Sequence, residues 1–250
     1  MELHISEEVF DLNLKKFSIE EKGTEWSECY TYLNHAESLL SVADTLLYHI
    51  DVISNLKRSI DHRIKLLNKI YDIKSISKLL RIKGTFETLI ELSLIRPLMV
   101  KKLIDLRNCI EHQFIQSPPV ERCEEYIEFT WYFLRSTDYL VKEVHTDIYF
   151  EFSYGSHYFI ELDLNIHVGW DIKLSGILPN KFYENQSKQG FYSLDVHGVT
   201  LGKDFPYRFN EDNFDGHWDD VKSDDLHITN ASISCLSLKK RIIKEYFALI

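Results

Sequence analysis

Long apolar runs are missing from this chain. No stretch approaches the roughly 18 consecutive apolar residues of a membrane-spanning helix, so no membrane partner is expected. Glycine and proline are scarce, nine and five in 250 residues, which excludes fibrous and low-complexity classes. The four cysteines, Cys29, Cys109, Cys123 and Cys235, show no C-x-x-C spacing. That argues against a zinc site and for free thiols in a reducing compartment. The first residues, MELHISEEVF, lack the basic and apolar regions of a signal peptide. These absences lead to the expectation of a cytoplasmic protein with no metal and no cofactor.

What is present is material for a core. Hydrophobic residues make up 44% of the chain and aromatics 13%. At roughly 150 residues per domain, the length allows one large domain or two modest ones.

The net charge of −10 hides an asymmetry. Residues 1–55 carry three Lys/Arg against eleven Asp/Glu, and residues 56–110 carry thirteen against five. Residues 111–235 return to nine against twenty-two, and the last fifteen residues are net +3. A basic block inside an acidic chain suits a local phosphate-binding surface; lysine-rich helical surfaces also serve solubility alone. Lys101, Lys102, Arg58 and Arg63 are the RNA-contacting candidates within it.

The hydrophobic period divides the chain. From residue 25 to about 144 the apolar residues recur at helical spacing, as in Leu33, Leu39, Leu40, Leu46, Leu47, Ile50 and Ile53. Gly84 interrupts the pattern, Pro97 suits a first helical turn, and Ser117-Pro118-Pro119 separates two further helices. Four or five antiparallel helices, a bundle, are expected. After residue 146 the period becomes two: Tyr158, Ile160, Leu162, Leu164, Ile166, Val168 and Trp170 alternate with their neighbours. Gly155-Ser156 reads as the turn of a hairpin, residues 190–202 and 225–234 as further strands, and residues 236–250 as an amphipathic helix. The expected fold is α+β. An N-terminal extension (1–24) precedes an all-α antiparallel bundle (25–146), and a strand-rich antiparallel β module with a C-terminal helix (147–250) follows.

The helix from Pro97 carries the most chemistry. At about 100° per residue, Met99, Leu103, Leu106 and Ile110 form its core stripe. Lys101, Asp105, Asn108 and His112 lie about 200° round, and Val100, Ile104, Arg107 and Glu111 flank the core stripe. His112 is thus set away from the core, towards solvent, another domain or another subunit. Arg107 and His112, five apart, diverge by about 140° and do not converge on one helix unaided.

Arg107-Asn108 followed by His112 after four intervening residues, late in a long helix with another long helix behind it, resembles the signature of the HEPN family. The resemblance covers roughly residues 25–145. It implies a helical bundle and, for many members, a metal-independent endoribonuclease of toxin or anti-phage type. It also implies a homodimer in which two Arg–His pairs share a cleft, and a possible antitoxin or regulatory protein as partner. In that reading His112 moves the 2′-OH or leaving-group proton, and Arg107 holds the scissile phosphate. Asn108 orients the imidazole, with Asp105 and Glu111 in support. RNA is the substrate and a 2′,3′-cyclic phosphate the product. Other members are non-catalytic, so a module that binds RNA, nucleotide or protein is the alternative. A protein whose acidic half mimics or blocks a basic partner is a third.

Other signals are weaker. Arg58 and His62 share a helical face, read as a solvated stripe with an Asp–Arg pair. Residues 211–220, EDNFDGHWDD, resemble a calcium loop, but Glu211 and Lys222 stand where the first and last ligands belong. Asp215, His217, Asp219 and Asp220 therefore read as an acidic surface loop. His157, His167 and His197 lack ligand spacing and read as solvent-facing strand residues.

Overall fold

The structure, a computed structural model, describes residues 2–21, 24–42, 46–112, 118–152, 157–204 and 221–248. The chain is α+β, and among the described residues it holds seven α-helices and an eight-stranded sheet. Two compact units share it: residues 1–20 with 145–243, and residues 21–144 with 244–250.

The first unit is built on strands β1 (Glu2–Ser6), β2 (Asn13–Glu21), β3 (Glu143–Glu151), β4 (Phe159–Asn165), β5 (Asp171–Leu178), β6 (Tyr183–Glu184), β7 (Phe191–Leu201) and β8 (Leu226–Ser232). Their order across the sheet is β2-β3-β4-β5-β8-β7-β1-β6. The pairings with a described register are antiparallel, for example Leu162 opposite Leu174 and Leu3 opposite Leu194. Alternation gives the sheet one apolar face, with Leu3, Ile5, Ile148, Phe150, Ile160, Leu162, Ile172 and Leu194 buried. Phe10 closes over part of it, edge-on to Phe150 at 5.4 Å and to Tyr192 at 5.9 Å. Asp225 ties the connections together. Its carboxylate accepts from the Tyr158 hydroxyl at 2.6 Å and from the backbone N–H of Asn180 and Lys222 at 3.0 and 2.6 Å.

Two expectations need correction here. Residues 1–24 are not merely an extension, because β1 and β2 are members of the sheet, and β1 lies between β7 and β6. The helices-first layout therefore holds only loosely. The alternating run from Tyr158 to Trp170 is also not one strand. Strand β4 ends at Asn165, and residues 166–170 turn the chain into β5, with Gly169 at φ +67° and Trp170 at φ +57°. Asn165 and Asp171 pair across this turn, and Trp170 is buried. The expected turn at Gly155-Ser156 lies outside the described residues.

The second unit contains α1 (Glu28–Ser41), α2 (Leu46–Tyr71), α3 (Ile73–Leu80), α4 (Thr85–Glu91), α5 (Pro97–His112) and α6 (Val120–Lys142). The end of α7 (Leu236–Ala248) joins this unit from Lys244 onward, where Tyr71 meets the rings of Tyr246 and Phe247 at 6.1 and 5.3 Å. Helix α1 is antiparallel to α2, since Glu25 just before α1 reaches Lys69 near the end of α2. Helices α2 and α6 run parallel, which departs from the expected all-antiparallel bundle. His49 Nδ1 is 2.8 Å from the Pro118 carbonyl, Arg63 meets Thr137, and the Tyr71 hydroxyl donates to the Leu140 carbonyl at 2.7 Å. Helices α3, α4 and α5 return the chain to its starting end before α6 begins.

Candidate functional site

Helix α5 forms where the sequence predicts it. Pro97 fills its first position, where a missing N–H leaves nothing unpaired. Leu106 is buried at 1% exposure, whereas Lys101 and Asn108 are exposed and Asp105 is half-buried. For these positions the side facing away from the core is the expected one. Arg107, Glu111 and His112 belong to the same helix, which His112 ends, but their side chains lie outside the described residues.

A cleft of about 430 Å³ opens beside α5. Ile60, Ile64, Phe86 and Ile104 give it apolar walls, and Lys57, Asp61 and Asn108 bring polar groups to it. Apolar walls with a few placed polar atoms are the general make-up of a small-molecule cleft. Asn108 is the one member of the sequence motif whose side chain is seen at the cleft.

The basic candidates are distributed differently from the expectation. Arg58 and Lys101 are exposed. Lys102 is half-buried, paired with Glu125, and lies 5.6 Å from the centre of the Phe129 ring. Arg122 approaches the same carboxylate at 2.7 Å, and the hydrogen bond from Lys102 leads the interactions that hold Glu125 below the usual carboxylate range. Arg63 is corrected outright: its side chain is 0% exposed and presents nothing to RNA. Its Nη2 donates to Asp138 Oδ1 at 2.8 Å, Cys29 Sγ at 3.1 Å and the Trp26 carbonyl at 3.1 Å. Its Nη1 donates to the Leu134 carbonyl at 3.1 Å and Thr137 Oγ1 at 3.0 Å. Arg63 thus pairs with a carboxylate of another helix. His62 turns instead to Glu28, with Nε2 3.0 Å from Oε2.

Around Arg63 the structure assembles a cluster that sequence reasoning missed. Asp138 also accepts from the Tyr30 hydroxyl at 2.9 Å, and burial followed by that bond drives the Tyr30 phenol far above its usual range. Burial likewise raises the Cys29 thiol, which is inert where it sits. The available signal was the aromatic and cationic spacing of WYFLRSTDYLVK at 131–142.

Among the described residues no group of three His, Cys, Asp or Glu is disposed to hold a metal ion. The acidic stretch 211–220 lies outside them. No described helix is long and apolar enough to cross a membrane. No family model, no curated protein and no solved structure matches the chain.

Proposed function

We propose that this protein is a HEPN-like, metal-independent endoribonuclease of toxin or anti-phage defence type, with Arg107 and His112 as its catalytic pair. The observation that supports the reading is that Arg107, Asn108 and His112 fall in the last turns of α5, with Asn108 lining a cleft of about 430 Å³. The chemistry follows from the groups. A neutral imidazole at His112 takes the ribose 2′-OH proton, and the resulting oxyanion attacks the adjacent phosphorus. The 5′-oxygen leaves with a proton from an imidazolium, and a 2′,3′-cyclic phosphate remains. Arg107 supplies a permanent forked charge to the phosphorane oxygens.

Arg107 and His112 diverge on an ideal helix, so the proposal includes a homodimer that places two α5 helices together. Restraint of such a nuclease calls for an antitoxin-like or other regulatory partner. The test is incubation of the purified chain with single-stranded RNA in excess EDTA, with product ends analysed. Fragments ending in 2′,3′-cyclic phosphate are expected. Binding without cleavage would instead make the chain a non-catalytic RNA- or nucleotide-binding module.

A further inference from the structure

Helix α6 turns one stripe towards solvent, and the charges along it are sorted by sign. Glu121, Glu124 and Glu128 occupy its first half, and all three are exposed. Trp131 and Tyr132 stand at the midpoint of the helix, edge to face at 5.0 Å and 37% and 54% exposed. Arg135, Tyr139 and Lys142 follow in the second half. At 100° per residue these positions span about 120° of the helix, a single face.

Neither half is neutralised in place. Among the described residues none of the three glutamates is held in an ion pair. Spaced three and four apart, they repel one another along the free helix. In the second half, Asp138 is already matched by the buried Arg63 at 2.8 Å. Lys142 and Arg135 reach that carboxylate only at 3.4 and 3.7 Å, and 38% and 54% of their side chains stay exposed. In sum the stripe is acidic, with Glu143 just beyond it, so a polyanion is repelled over most of its length. The cations at the other end oppose a uniformly basic partner. A second copy of the same stripe, laid in the opposite direction, matches both ends.

We propose that two copies of this chain pair through α6, antiparallel, about a twofold axis midway between Trp131 and Tyr132. This register sets Glu128 against the partner's Arg135 and Glu121 against the partner's Lys142. Glu124 meets the partner's Tyr139, whose hydroxyl donates to it, and Trp131 meets the partner's Tyr132. Each contact occurs twice by symmetry. The rings supply a dehydrated centre and the charges a rim. A parallel pair would lay acid on acid and cation on cation, so the sign pattern fixes the direction. The pairing does not rest on the nuclease reading and is separate from the contact between α5 helices that it includes. A chain that makes both contacts associates in two steps, and one that makes only the α6 contact in one.

The test is sedimentation velocity on the full chain over a range of protein concentration, at low and high salt. The parent should self-associate, less so at high salt. Tyr132→Ala should raise the dissociation constant of one association step by about 10-fold or more. Glu128→Arg removes two cross-pairs and creates two like-charge contacts, so it should weaken the same step by about 10-fold. Adding Arg135→Glu to Glu128→Arg exchanges the signs and should restore association. Glu128 and Tyr132 face solvent, so the two single variants keep the fold and decide the matter even where the double variant does not fold. A parent that stays monomeric overturns the proposal, as does unchanged association in either single variant. A double variant that melts like the parent and associates as weakly as Glu128→Arg also overturns it. RNA cleavage is scored apart: a cleaving chain whose association ignores these variants leaves the nuclease reading and removes the α6 pairing, and a chain that pairs through α6 without cleaving does the reverse.

Discussion

Replacing Arg63 tests the interior of the helical unit. The guanidinium is fully buried and makes five hydrogen bonds, one of them to the carboxylate of Asp138 at 2.8 Å. Removing one partner of a buried ion pair costs about 3–5 kcal/mol, because the other charge is left behind. The two sides are unequal here. Arg63→Met leaves Asp138 with Lys142 at 3.4 Å, Arg135 at 3.7 Å and the Tyr30 hydroxyl at 2.9 Å, so its cost falls near the lower end, about 3 kcal/mol. Asp138→Leu leaves Arg63 with carbonyls, a hydroxyl and a thiol but no anion, so its cost falls near about 5 kcal/mol. The double variant Arg63→Met/Asp138→Leu buries no charge and should be less destabilised than the sum of the singles by about 1–3 kcal/mol. Urea unfolding followed by circular dichroism measures all three. If Arg63→Met stays within about 0.5 kcal/mol of the parent, as a surface substitution would, the buried pair is refuted. Arg63 would then return to the RNA-contacting candidates.

Three further outcomes follow from local geometry and chemistry. Gly176→Ala should cost about 1–3 kcal/mol in a thermal melt, because φ is +148° and a Cβ there would fall on the Phe159 carbonyl oxygen; an unchanged melting temperature would refute that close approach. Burial holds the His227 imidazole below its usual value, so the unfolded chain binds the extra proton first as pH falls. Stability should therefore be intact above about pH 6.5 and decline as pH drops through that value towards the lowered folded-state value. His227→Gln should flatten that part of the curve, and an unaltered pH dependence of melting would contradict the assignment. Arg107→Lys keeps the charge but loses the planar fork, so RNA cleavage should slow by about 10²-fold or more in a single-turnover assay.

How much of this was legible in the sequence depends on the range of each interaction. Helix α5 was readable because its period is local: Leu106 falls inside and Asn108 outside, as their spacing requires. Strand β4 was readable, but its end was not. The polar–apolar alternation runs on through His167 and Val168, while the backbone has already left the strand after Asn165. Strand β1 is only five residues long, and its partners β6 and β7 lie far along the chain, so nothing nearby announces it. Arg63 misled for the same reason. It sits in a basic helix that reads as a solvated face, and its carboxylate comes 75 residues later. The parallel run of α2 and α6 depends on the path of the three helices between them, two short and one of 16 residues, and no periodicity encodes that path. The motif at Arg107 and His112 is a reading of spacing and helix context alone.

The central claim rests on His112, and comparing the parent chain with His112→Ala tests it most directly. Both are assayed for RNA cleavage in EDTA and for melting temperature. The account predicts that the parent leaves 2′,3′-cyclic phosphate ends, and that His112→Ala loses about 10²–10⁴ in rate while melting at the same temperature. A His112→Ala protein that folds and cleaves RNA at the parent rate would contradict it.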